Sequence, residues 1–234
     1  LKVEDLKILG LWRNKMEQLL TANVANGLYW FGRYLERVES TLLEVVTAFD
    51  DIIDIDKDAG KKLYNKFELE IEYEDSKEFL NNALFGDHTS NINTLMECAR
   101  ENAIICRSNM DTEAFGTVIE LSDFIKQGSV HFQVDSNFID TILSLISEIW
   151  GELTRKEKRN TSDYFIRLGK LVEKDDFHLR LERNKRLSLV VMDEIDKIVE
   201  ILAPDAKFRP HDENDSYEVI LDSINGKINK IIIE

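Results

Sequence analysis

The chain has 234 residues, 43 % apolar and 32 % charged, an ordinary globular composition long enough to bury a core without disulfide or metal staples. Its 45 acids outnumber its 30 bases, a formal charge of −15, and this field repels phosphate backbones and anionic lipid, which argues against nucleic-acid and membrane partners. Only 2 prolines and 10 glycines punctuate it, too few for the turns of an all-β or α/β chain, so long helices are expected.

Taken in order, Val3–Leu20 reads as an amphipathic lead-in, with Met16 the expected natural start, residues 1–15 upstream sequence and 16–234 one helical domain. Asn23 is placed to cap a long helix to about Phe49, followed by an acidic loop over Asp50–Gly60 and short helices near Lys61–Glu70 and Ser76–Leu84. Ser90 should cap Asn91–Met110, Asp111 a helix to Gln127 before Gly128, Ser136 the helix Asn137–Leu153, and Ser162 the helix Asp163–Lys185. Leu187–Leu202 and Ser216–Ile232 complete the set, the last broken or softened at Gly226. Strand-like alternation occurs at Phe67–Tyr73. Helices joined by short loops read as an all-α, single-domain bundle of antiparallel neighbours.

Cys98 and Cys106 lie on one predicted helix, roughly 12 Å apart at about 1.5 Å per residue, too far to bridge. With no apolar run of about 20 residues and no signal peptide, a reduced, cytoplasmic setting is expected.

On a helical wheel Val24, Leu28, Phe31, Leu35, Leu42, Val46 and Phe49 form one stripe, with Glu39 at its margin. Tyr29, Trp30, Arg33, Glu36 and Arg37 share a second face, whose aromatics call for a covering helix. Arg33, Glu36 and Arg37 are spaced to touch along their own helix. Asn102 intrudes on the stripe of Leu95, Ala99 and Cys106. Asp175 and Asp176 flank the stripe of Phe165, Leu168, Val172 and Leu179, with Ile166 and Phe177 opposite. Polar groups at such positions are either a satisfied structural network or a ligand site.

Phe31–Glu39 is echoed at an offset of 137 residues by Leu168–Asp176, with Gly32, Arg33, Glu36, Arg37 and Glu39 answered by Gly169, Lys170, Glu173, Lys174 and Asp176. Two such segments read as pseudo-symmetric helices of one bundle.

Asn23–Glu39, NVANGLYWFGRYLERVE, resembles the opening helix of the alpha-E domain family, all-helical proteins with a Glu-Arg signature. Arg100–Asn109, RENAIICRSN, is similar to that family's central helix, and Tyr164–Asp176, YFIRLGKLVEKDD, to its later one, in the family's order. The resemblance puts the signature on Arg33, Glu36, Arg37, Glu39, Glu101, Asn102, Arg107, Arg167, Lys170, Glu173, Lys174 and Asp176. Lys170 and Lys174 replace the family's arginines, which keeps the charge and loses the planar fork, and Phe115 stands where a Trp is expected. Alpha-E proteins accompany circularly permuted ATP-grasp ligases, often with transglutaminase-like or amidohydrolase partners. The resemblance therefore implies a system that forms or modifies amide or peptide bonds, with no reaction assigned to this component.

Other chemistry has weaker support. Asp54, Asp56 and Asp58 begin like a calcium loop, but Ala59 and Asn65 stand where Gly and Glu are needed. Asp175 and His178, with the pairs Glu36/Glu39 and Glu173/Asp176, hint at a dimetal bundle lacking its second Glu-x-x-His. There is no Walker loop, GxGxxG, GxSxG or HExxH, so no metal or other cofactor is expected, and an ATP-grasp ligase partner would carry the nucleotide. Three readings stand: binding of a carboxylate or peptide substrate through Arg33, Arg37, Arg107 and Arg167; a structural adaptor docked on the ligase, with the motif as a core salt-bridge network; and a helical hydrolase or transferase acting alone.

Overall fold

Five long helices start where a side-chain oxygen satisfies the first free backbone N–H groups. Thr21 accepts from Val24 N, Asn91 from Thr94 N and Asp135 from Phe138 N. Asn160 and Asp163 form a reciprocal capping box. Asp111 accepts from Glu113 N and Ala114 N, as its sequence position suggests. The expected caps Asn23, Ser90, Ser136 and Ser162 give way to neighbours one or two residues off, three of them Asn or Asp, which accept at least as well as serine.

A computed structural model describes residues 20–131, 134–155, 159–181, 185–204 and 217–232. The expected lead-in helix and start at Met16 lie outside them. In order, the helices are α1 Ala22–Asp54, α2 Ala59–Lys66, α3 Ser76–Phe85, α4 Ile92–Ile105, α5 Thr112–His131, α6 Ser136–Thr154, α7 Thr161–Arg180, α8 Lys185–Leu202 and α9 Tyr217–Ile232, with a 3-10 turn at Arg107–Asn109. No described residue is in a strand, and the fold is all-α. No helix among the described residues is long and apolar enough to cross a membrane.

Phe67–Tyr73 is not a strand. Its alternation is real, with Phe67, Leu69, Ile71 and Tyr73 turned inward and Glu68, Glu70 and Glu72 exposed. It lies as a lone segment over the core, and Glu68 takes a left-handed φ of 59° at its start. The Tyr73 hydroxyl donates to Lys57 O and accepts from Gly60 N and Lys61 N, which ties the segment to the start of α2. α5 runs on through Gly128 because this is where α6 crosses it: a Cβ there would overlap the Phe138 ring, which stacks on Phe124 at 4.8 Å. α9 continues through Gly226 without a break.

α1, about 50 Å long at 1.5 Å per residue, is the axis of the bundle. It packs on α2, α3, α4, α6, α7 and α9, most extensively on α7 and next on α4. α5 pairs with α6 and α7 with α8. Leu28, Phe31, Leu35 and Leu42 are fully buried, as the wheel requires. The second face of α1 is also covered, and the covering helix is α7.

The two helices meet at the repeated glycines. A Cβ on Gly32 would overlap the carbonyl oxygen of Ile166, and a Cβ on Gly169 would overlap that of Tyr29. The contact is reciprocal, each glycine meeting the carbonyl three residues before the other. Gly27 makes a looser approach of the same kind to Cys106 Sγ on the α4 side.

Gly32→Ala should therefore cost at least about 3 kcal/mol, since backbone cannot yield as a flexible side chain does. Gly151→Ala, exposed on α6 with nothing near the added carbon, should instead stabilise by about 0.5–1 kcal/mol. Urea denaturation of both variants checks the pair of signs.

Candidate functional site

The close approach at the glycines brings the charged residues of the two repeats across from one another. Glu173 is the centre, with its side chain 1 % exposed. Arg33 Nε donates to Glu173 Oε2 at 2.7 Å, and Arg37 donates to both Glu173 oxygens, its Nη2 at 3.0 Å. Arg33 also lies 3.7 Å from Asp176, which Arg180 holds at 3.2 Å. The Arg33 guanidinium sits over Trp30 at 5.2 Å and near Tyr29 at 6.0 Å. Burial opposes its charge, but Glu173, Tyr29 and Asp176 outweigh burial, so Arg33 titrates above the usual guanidinium range.

The second half mirrors the first. Lys170 Nζ lies 3.5 Å from Glu36 and 3.8 Å from Glu39, and 3.8 Å above the Trp150 ring. Trp150 Nε1 donates to Glu39 at 2.8 Å. Arg33 and Lys170 thus each meet the two acids of the other copy and rest on an aromatic ring. The lysine half is looser, because an ammonium lacks the fork that lets Arg33 and Arg37 close on Glu173.

Glu36, not Glu39, is the buried carboxylate of this half, since α7 covers the face it lies on. It accepts from Ser40 Oγ at 3.2 Å, while its other oxygen has no hydrogen bond. Burial, eased by Lys170 and reinforced by Glu39, pushes its carboxyl up to about 7. Arg33, Glu36 and Arg37, spaced to pair along α1, instead pair across to α7.

The twelve signature residues do not form one site. Arg33, Glu36, Arg37, Glu39, Lys170, Glu173 and Asp176 come together. Arg167 turns to Glu194 of α8. Lys174 is exposed, forms no ion pair among the described residues, and acts on Glu36 only through its field. Glu101 is on the surface against Arg100, and Arg107 stacks on Phe115 at 5.3 Å, both away from the cluster. Asn102 donates to Cys98 O within α4, and the Cys106 thiol beside it contacts Val24 O of α1. The central segment is therefore a packing device against Gly27. Burial pushes the Cys106 thiol up to about 11, so it is a poor nucleophile.

Sequence reasoning missed Trp150, Ser40 and Ser188, none of which lies in a motif. A Trp near the end of α6 was a weak signal for a ring needing a partner for its N–H. Asp175 is fully buried, and neither of its oxygens makes a hydrogen bond of regular geometry among the described residues. Burial pushes it up to about 6, with Ser188 giving partial relief and Asp176 adding to the rise. In the acidic loop Asp56 accepts from Asp58 N and pairs with Lys62. Among the described residues, the carboxylates grouped closely enough for a metal are Asp111, Glu113 and Glu152, where Arg155 pairs with Glu113 and Glu152.

These features define an all-α bundle built on a parallel pair of Glu-Arg helices locked by reciprocal glycines and crossed ion pairs. The chain belongs to the Alpha-E family, described as a predicted alpha-helical domain with a conserved ER motif, whose model matches residues 20–228. No curated protein and no solved structure matches it.

Glu173→Gln leaves two guanidiniums without their carboxylate and should cost about 3–5 kcal/mol by urea denaturation. Asp175 acts in the opposite sense. It binds its proton more tightly folded than unfolded, so its contribution is complete below about pH 4 and is lost as pH rises through about 6. Asp175→Asn should stabilise the protein by about 2 kcal/mol at pH 8 and flatten the stability profile between pH 4 and 7, read by melting at stepped pH.

Proposed function

We propose that this chain is the non-catalytic helical adaptor of an ATP-grasp-linked system that forms or modifies amide or peptide bonds, with its Glu-Arg motif serving as architecture. The observation that carries the architectural half is Glu173: one buried carboxylate occupies both guanidiniums of the first motif. The charge of Arg33 and Arg37 is already balanced by Glu173 and Asp176, and drawing either guanidinium off Glu173 would leave a buried charge unpaired at several kcal/mol. Direct capture by Arg33 and Arg37 is accordingly the less favoured reading. The ligase association is supported by the family to which the chain belongs and by the partners such proteins accompany.

The adaptor role also suits the chemistry on view. The one described buried thiol is held protonated, and the buried acids of the cluster are engaged with the repeat opposite or enclosed. An adaptor needs a rigid body and an outer face, and the crossed pairs supply the rigidity.

An ATP-grasp ligase is expected to be encoded near this chain and to form a stable complex with it on co-expression, while the isolated chain turns over no peptide or amide in a broad panel. Arg37→Ala should lower the melting temperature and leave the ligase affinity of the folded protein unchanged. Turnover by the isolated chain, or loss of ligase binding by an Arg37→Ala protein of unchanged melting temperature, would overturn the reading.

A further inference from the structure

Outside the locked pair, α7 presents a stripe to a pocket of about 270 Å3. Asp163, Ile166, Arg167, Lys170, Leu171 and Lys174 fall on that stripe at helical spacing, between the end of α6 and Glu194 of α8. The floor is apolar, made by Trp150, Leu153, Ile166 and Leu171. Around it stand four cations, Arg159, Arg167, Lys170 and Lys174, against the two acids Asp163 and Glu194. Both acids are spoken for: Asp163 accepts from Asn160 N in the capping box, and Arg167 holds Glu194. Among the described residues Lys174 and Arg159 carry no ion pair, and Lys170 reaches its acids only at 3.5 and 3.8 Å. With Glu36 and Glu39 set against Lys170 and Glu194 against Arg167, Lys174 and Arg159 are the cations left to face a ligand over the hydrocarbon floor.

We infer that this pocket binds an apolar organic monoanion, a carboxylate on an aromatic or branched aliphatic body. The carboxylate sits between Lys170 and Lys174, one helical turn apart, and the body lies against Trp150 and Leu171. An empty apolar cavity of ~150 Å3 accepts a benzene ring, so this pocket has room for a ring and a short carboxylate-bearing arm. Single charge follows from Glu39 and Glu194 beside the same lysines, which repel a phosphate dianion. Such a carboxylate is offered both by the C-terminus of a peptide and by a free acid. The site does not depend on ligase docking, and its test uses the isolated chain.

Isothermal titration with N-acetylphenylalanine, 3-phenylpropionate and neutral 3-phenylpropionamide decides it. The acids should bind, the amide at least about tenfold more weakly, and tighter binding of N-acetylphenylalanine identifies a peptide C-terminus while tighter binding of 3-phenylpropionate identifies a free acid. Lys174→Gln, exposed and unpaired, should weaken the acids about tenfold at an unchanged melting temperature, with Lys77→Gln on α3 as the silent control. Equal affinity for acid and amide, affinity indifferent to Lys174→Gln, or no binding of either acid at millimolar concentration would overturn the assignment.

Discussion

One carboxylate shared by two guanidiniums across a glycine crossing is what the rest of this fold depends on. Glu173 is nearly inaccessible to water and would be costly there alone, so the bundle tolerates it only with Arg33 and Arg37 in place. They reach it because Gly32 and Gly169 let the backbones of α1 and α7 come into contact. The glycines permit the approach, and the charges fix its register, since a slip of one residue on either helix would separate every pair. The same contact aligns Lys170 with Glu36 and Glu39 and puts Trp150 under it, so α6 is drawn to the junction of the two long helices.

The two copies of the motif are alike in plan and unequal in strength. The arginine half is tight and closed over its acid. The lysine half is looser, with an enclosed carboxylate, Glu36, pushed up to about 7, and an unpaired Lys174 at the surface. That inequality divides the labour: the first copy holds the bundle, and the second borders the pocket between α6, α7 and α8. Buried Asp175 next to it is a standing cost in the same region of α7, which the Ser188 hydroxyl offsets only in part.

Much of the fold was legible in the sequence because periodicity is a strong signal over helices as long as α1 and α7. The stripe of Leu28, Phe31, Leu35 and Leu42 reads directly, and so does the need for a cover on the Tyr29 and Trp30 face. Helix starts were less legible, since Thr21 and Asn23, or Asn160 and Ser162, are both competent caps and tertiary packing chooses between them. Alternation at Phe67–Tyr73 reports an extended segment with one face inward, while a strand also requires a partner that no local pattern reveals. The site was half legible. The signature residues stand out, but which helix each charge faces depends on contacts across more than a hundred residues. Glu36 therefore reads as lying on a face that needs a cover without showing that α7 supplies it, and Trp150 gives only a weak signal.

The most direct measurement is a double-mutant cycle between Arg33 and Glu173, with Arg33→Ala, Glu173→Ala and the double variant compared by urea denaturation. The ion-pair lock predicts a coupling energy of about 2 kcal/mol or more, so that the second substitution costs far less once the first is made. Additive losses, with coupling below about 0.5 kcal/mol, would contradict it.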